Sequence, residues 1–291
     1  MIASSQIKQK QQTIDNIFLF NGIGLHSGKN AMVTVFPSDK DTGINFVRTD
    51  VKNTENNIEA IWYNVVSSQL STTISNNDGV SVGTIEHLMS ALSGMHIDNA
   101  IIHVEGPEIP IMDGSSMPFV KLIEKAGIRT LDASRKIIKV KKDIEVSRGD
   151  SYVKISPYEQ FSIDFEIFFD SDLINRQSCH LQLINGNYKS DISSARTFGF
   201  EKDVEDLRSN GFALGGSLEN AVVVGEDKIL NSEGLRFEDE FVRHKILDSI
   251  GDLYLAGLPI EGYLSAKKSG HYLNNQLLRK LLSDKSNFEI I

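Results

Sequence analysis

Residues 239–256 read DEFVRHKILDSIGDLYLA. This is the clearest helical pattern in the chain, with Ile246, Ile250, Leu253 and Tyr254 supplying its apolar positions. His244, Asp248 and Asp252 follow one another at intervals of four residues, so they share one face of that helix. One amphipathic helix therefore presents an imidazole and two carboxylates in a row. A His and an Asp at this spacing can give a divalent ion two ligands. Taken alone, the same pair fits a surface His–Asp hydrogen bond better.

On either side of this helix the pattern alternates between strand and helix signals. Upstream lie a helix near 200–210, a Gly-rich turn GFALGG and a strand, NAVVVG. Downstream lie a strand at 260–265 and a closing helix at 271–283. Earlier strands are expected at 136–147, 151–156 and 161–169, with a polar connector after the last. The first half reads as strands at 31–36, 44–48 and 66–74. A helix follows from Thr84 to about Gly94, on the stripe Ile85, Leu88, Leu92 and Met95. A strand at 99–105, a structured loop GPEIPIMDGSS and a helix at 117–126 complete that half. Residues 128–136 lose periodicity, which places a domain boundary there and divides the chain into 1–130 and 131–291. Strands group together rather than alternating strictly with helices, so the expected fold is two α+β domains. The residues themselves show neither an internal repeat nor a low-complexity segment.

Composition narrows the function. The 291 residues are 40% hydrophobic and 24% charged, an ordinary globular balance with room for one large or two medium domains. A net charge of -9 argues against a nucleic-acid partner, which needs a dense basic surface. It leaves room for a small anionic ligand held by two or three local cations. The single cysteine, Cys179, can build neither a disulfide framework nor a thiolate metal cluster, and it fits a reducing compartment. Any metal site then falls to His, Asp and Glu. No stretch approaches the roughly 20 apolar residues of a membrane helix. The polar start, MIASSQIKQKQQTIDN, lacks the apolar core of a signal peptide, so a cytoplasmic protein is expected.

Four further segments can carry chemistry. Glu86–His87, near the start of the first helix, can add a third ligand and a base beside it. In SGHYLNN (269–275), His271 can donate a proton or stabilise negative charge. In SARTFGF (194–200), Thr197 can offer a hydroxyl to an oxyanion and Phe198 can pack on a sugar face. GIGLHSGK (22–29) lacks both the dinucleotide and the P-loop spacing, so it reads as a tight turn with His26 in a structural role. Each segment alone also fits a bland reading: a solvated helix end, an exposed His or a strand end with its Phe residues in the core.

Together, GIGLHSGK, TIEHLMSAL, GPEIPIMDGS, SARTFGF, LRFEDEFVRHKILDSIGDL and KSGHYLNN resemble the UDP-3-O-(3-hydroxyacyl)-N-acetylglucosamine deacetylases. They stand in that family's order, from about residue 12 to 285. The resemblance implies a hydrolase that removes acetate from the acylated UDP-amino-sugar on the route to lipid A. It implies zinc held by His87, His244 and Asp248, although Fe2+ suits the same ligands. Glu86 would be the general base and His271 the protonated acid or oxyanion stabiliser. Asp252 would orient and charge His271, and Thr197 would help bind the oxyanion. Phe198, Lys245 and Lys268 would touch the substrate. The implied fold is two related α+β domains with the active site between them, each carrying an insert. The second insert, roughly 197–225, would form the passage for the acyl chain. Leu214, Leu218, Ala221 and Val223 are candidates for its lining, and plain core accounts for them equally well. A monomer is expected. The rival expectations are a generic N-acyl amidohydrolase, a lipid-sugar sensor without turnover and a nucleotide-binding protein built on GIGLHSGK.

Overall fold

The computed structural model describes residues 9–184 and 186–291. Met1–Lys8, the start of the segment read as lacking a signal peptide, lie outside the described residues.

The first half builds a five-stranded sheet from β1 (Phe18–Ile23), β2 (Asn30–Pro37), β3 (Ile44–Arg48), β4 (Asn57–Glu59) and β5 (Ala100–Glu105). Two helices go with it, α1 (Glu86–Gly94) just before β5 and α2 (Met117–Ala126) just after. The spatial order is β1-β2-β5-β3-β4, with only β3 and β5 parallel. The second half repeats this order with β6 (Ile144–Arg148), β7 (Ser151–Ser156), β8 (Phe161–Phe168), β9 (Arg176–Gln182) and β10 (Ile260–Lys267). Their order is β6-β7-β10-β8-β9, again with one parallel pair, β8 and β10. Helices α3 (Glu240–Tyr254) and α4 (His271–Leu282) flank β10 as α1 and α2 flank β5. Two short strands, Ile138–Val140 and Phe288–Ile290, widen the second sheet. The chain is thus a topological duplication of one α+β unit, although the residues show no repeat.

Strand alternation sets the core. On β2, Val33 and Val35 are buried while Met32 faces solvent, the period-two pattern of a half-covered sheet. Leu88 and Leu92 of α1 and Ile246, Leu247 and Ile250 of α3 join one continuous buried cluster. Each such side chain contributes about 1.5–3 kcal/mol of burial. Helices α1 and α3 pack along each other at the centre of the molecule. Gly251 lets them approach this closely: a Cβ there would stand 2.0 Å from the Glu86 carbonyl oxygen. Tyr254 Oη at the end of α3 donates to Ile97 O, just past α1, at 2.8 Å, and Tyr188 Oη, from a short helix of the second half, donates to Ser90 Oγ on α1 at 2.9 Å.

Some segments differ from the sequence expectation. Residues 66–74 are not one strand. They split into Val65–Ser67 and Thr73–Ser75, which pair antiparallel around a turn with Leu70 at φ +64°. With Ser81–Val82 these form a small sheet inserted before α1. The polar connector after β8 contains β9, whose outward residues are polar, so the segment lacks the apolar run of a buried strand. Residues 128–134, read as aperiodic, form a largely exposed strand paired antiparallel with Lys10–Ile14. In the second half, Phe198–Phe200 and Val222–Val224 pair in parallel, with a short helix (Val204–Ser209) between them. This insert precedes α3 as the small sheet precedes α1. Among the described residues, no helix is long and apolar enough to cross a membrane.

Candidate active site

The site forms where α1 and α4 begin, α3 passes and the two inserts meet. Thr84 turns the chain into α1. Its φ of +53° is unusual for a β-branched residue, and its hydroxyl is held by Glu108 Oε1 at 2.7 Å. Directly after it come Glu86 and His87. Helix α3 supplies His244, Asp248 and Asp252 from the face that meets α1. Its first turn is anchored by Glu240, which accepts from Arg196 Nε at 2.8 Å and so ties SARTFGF to α3. His271 opens α4 after the extended Gly270.

Glu86, His87, His244, Asp248, Asp252 and His271 are all buried. His87 Nε2 lies 3.4 Å, and His244 Nε2 3.3 Å, from Asp248 Oδ1. The ligand atoms of these three residues lie within 4.8 Å of one another, close enough to share one ion. Asp248 Oδ1 is buried without a hydrogen-bond partner, which is costly for a carboxylate unless a cation completes it. Its other oxygen accepts from Lys245 Nζ at 2.7 Å. His244 Nδ1 faces the Ala195 carbonyl at 3.1 Å and can only donate to it, which leaves Nε2 with a free lone pair. The donor set fits a divalent ion. Burial drives the His244 pKa down to about 3, against the pull of Asp248, so this imidazole stays neutral as a ligand must. Burial would raise the Asp248 carboxyl, but the Lys245 ammonium paired with it and the positive charge on His271 hold the carboxyl well below its ordinary value.

Beside this cluster stands an acid–base pair. His271 Nε2 lies 3.8 Å from Glu86 Oε1, and its Nδ1 lies 2.8 Å from Asp252 Oδ2. Burial pushes the Glu86 carboxyl up, opposed by His271 and His87. Burial would lower His271, but the Asp252 and Glu86 carboxylates outweigh it and lift the imidazole to about 9. The pair is therefore poised with the carboxylate able to accept a proton and the imidazole holding one.

The cluster opens into a cavity of about 640 Å³ lined by Thr197, Phe198, Lys245 and His26 among others. It runs into a second cavity of about 500 Å³ between the GIGLHSGK turn and the second insert, with Phe198, Phe200 and Leu70 common to both. Leu218, Ala221 and Val223 line the second cavity, whereas Leu214 lines neither and is 48% exposed. Phe198 is braced edge-on by Phe241 at 4.9 Å, and the Lys245 ammonium stands 5.8 Å over its ring. Lys268 lies outside both cavities, its Nζ 2.5 Å from Asp150 Oδ2.

Sequence reasoning did not single out every residue around the site. His26, read as structural in a tight turn, also forms part of both cavity walls, with Nδ1 accepting from Ala213 N at 3.4 Å and Nε2 buried without a partner. The turn around it closes on Glu108, which accepts from His26 N at 2.9 Å and Ser27 N at 2.8 Å. Thr72 and Asn274, which hold Asp252, were also missed. The Glu in GPEIP offers a weak signal; the Thr in LSTTIS offers none.

A family model described as LpxC, UDP-3-O-acyl N-acetylglycosamine deacetylase, matches residues 11–283. The chain is similar to proteins named UDP-3-O-acyl-N-acetylglucosamine deacetylase. That of Syntrophus aciditrophicus is 48% identical over 278 residues, covering 96% of this chain and 88% of the relative. That of Shewanella halifaxensis is 47% identical over 283 residues, 97% of this chain and 92% of the relative. That of Myxococcus xanthus is 48% identical over 281 residues, 97% of this chain and 89% of the relative. With one family model spanning nearly the whole length and relatives this similar end to end, the chain belongs to the LpxC family of UDP-3-O-acyl N-acetylglycosamine deacetylases.

Proposed function

We propose that this deacetylase hydrolyses the acetamide of UDP-3-O-(3-hydroxyacyl)-N-acetylglucosamine, releasing acetate and the free 2-amino sugar on the route to lipid A. The observation that carries this reading is the meeting of a buried His–His–Asp cluster and a Glu–His pair at one end of a partly apolar cavity. His87, His244 and Asp248 would hold one zinc ion, with ferrous iron suited to the same donors. When bound, the ion would polarise the amide carbonyl and lower the pKa of water.

The chain's own groups do the remaining work. An amide is a poor electrophile with a poor leaving group, so hydrolysis needs a proton removed from water and one delivered to nitrogen. Glu86 takes the water proton, its basicity raised by burial. His271 carries positive charge at neutral pH and stands across from it, so it stabilises the oxyanion and protonates the departing amine. Asp252 fixes the ring of His271 and sustains its charge. The Thr197 hydroxyl is assigned to the oxyanion as well. Phe198 offers a flat face to the sugar. Lys245 neutralises Asp248 from outside the ligand cluster and faces the cavity, where it can meet an anionic nucleotide. Lys268 serves the same anion only by leaving Asp150. Leu218, Ala221 and Val223 line the acyl passage, and Leu214, outside its lining, has no part in it. A monomeric enzyme working in the cytoplasm completes this proposed reading.

The test is acetate release from the acylated UDP-sugar by protein stripped of metal and resupplied with zinc. Activity should vanish on stripping, return with about one equivalent of ion and disappear again in His244→Ala. Equal turnover of substrates lacking the UDP or the acyl chain would replace this reading with a general amidohydrolase.

A further inference from the structure

We infer that Thr72 is a positioning residue that couples the general base to the general acid across the two halves of the molecule. The inference rests on the deacetylase reading above. Thr72 is 2% exposed and lines neither cavity, so it reaches the substrate only through its neighbours. All its polar groups are engaged. Its carbonyl accepts from Ile85 N at 3.3 Å, where the chain enters α1. Its N–H donates to Glu86 Oε2 at 3.0 Å. Its hydroxyl donates to Asp252 Oδ1 at 2.6 Å, across 180 residues of sequence.

The geometry shows what this arrangement does. With Oε2 held by Thr72, Glu86 turns its other oxygen, Oε1, toward His271 Nε2. With Oδ1 held by Thr72, Asp252 presents Oδ2 to His271 Nδ1 and Asn274 Nδ2, each at 2.8 Å. One residue of the first half thus fixes the rotation of two of the three carboxylates near His271, the third being Asp248, whose Oδ2 lies 3.9 Å from Nε2. The backbone contact with Glu86 survives any side-chain change, but the hydroxyl contact does not. Without the hydroxyl, Asp252 keeps a buried, charged oxygen with one donor fewer and is free to rotate away from His271.

The test compares kcat, KM and bound metal for the metal-loaded wild-type enzyme, Thr72→Val, Thr72→Ser, Asp252→Asn and the double variant Thr72→Val/Asp252→Asn. Thr72→Val should lower kcat about ten- to a hundredfold, the size of one lost hydrogen bond to a charged group. KM and metal content should stay close to wild type, because no substrate contact or ligand is removed. Thr72→Ser should restore most of the turnover. On the Asp252→Asn background the added loss should shrink to less than about threefold, since residues acting as one unit are not additive. Wild-type kcat in Thr72→Val, an equal fold-loss on both backgrounds, or no rescue by Ser would overturn the inference while leaving the deacetylase reading intact. A wild-type protein that releases no acetate would remove both. If Thr72→Val fails to fold, Thr72→Ala takes its place in the same cycle.

Discussion

At the residue scale, His271 shows two opposing effects resolved by magnitude. Burial alone would strip its proton, yet Asp252 and Glu86 together raise it from 6.5 to about 9. The rate should therefore rise with pH as Glu86 loses its proton, at a pH above the ordinary 4.5 for a glutamate, and fall as His271 loses its own near 9. A kcat/KM profile measured from pH 4 to 10 checks this, and a flat profile would reject both assignments. Asp252→Asn removes the strongest support for the charged imidazole. The basic limb should then drop from about 9 toward or below 6.5, so activity at pH 8 should fall far more than at pH 6. His87, His244, Asp248, Glu86 and His271 stood out as candidates because ligand and acid–base chemistry needs particular residue types, and only the ordered motifs raised them above their bland readings. Thr72 was not legible, because a buried threonine in a strand-like run has no distinguishing sequence context.

At the element scale, the contact between α1 and α3 decides whether a site exists. The i, i+4 pattern of 239–256 correctly indicated α3 and the shared face of His244, Asp248 and Asp252. It did not indicate that Gly251 on the same helix presses against the backbone of Glu86. An alanine in mid-helix gains about 1 kcal/mol over glycine in propensity. At Gly251 the added carbon would overlap a carbonyl oxygen, and overpacking of this kind costs about 1–3 kcal/mol or more. Gly251→Ala should therefore lower the denaturation midpoint despite the better helix former, and should depress kcat by moving Glu86 and His87 away from α3. A stabilised, fully active variant would contradict the packing argument. Elements with a clean period were readable, as in α2, β2 and β8. Those with exposed polar faces, β9 and Ile128–Ser134, were not, because alternation disappears when neither face needs apolar residues.

At the scale of the whole molecule, the two halves repeat one topology and meet face to face, and the proposed ion would sit on that joint. His87 comes from one half, His244 and Asp248 from the other. Binding an ion to the folded protein only would add RT ln(1 + [L]/Kd), about 2.7 kcal/mol at a hundredfold excess over Kd. Chelation should lower Tm measurably, add-back should restore it, and His244→Ala should abolish the response. Identical melting curves with and without the ion would count against a shared site. We propose that the division of the chain falls near residue 130, where the second copy of the topology is about to begin.

The sequence by itself determined the α+β class, the long helix with its His and two carboxylates, that one cysteine can build neither a disulfide framework nor a thiolate metal cluster and, through six ordered motifs, the family. These are properties of residue type and local period, which the chain carries before it folds. Only the tertiary structure decided that Glu86–His87 meets His244–Asp248, that Asp252 reaches His271, and that His26 forms a cavity wall while Lys268 turns to Asp150. It also decided that two halves without visible residue similarity share one strand order. The physical reason is the same in each case. Such contacts join residues far apart in the chain, and which partners meet depends on how the two sheets and their helices pack, not on any spacing within one segment.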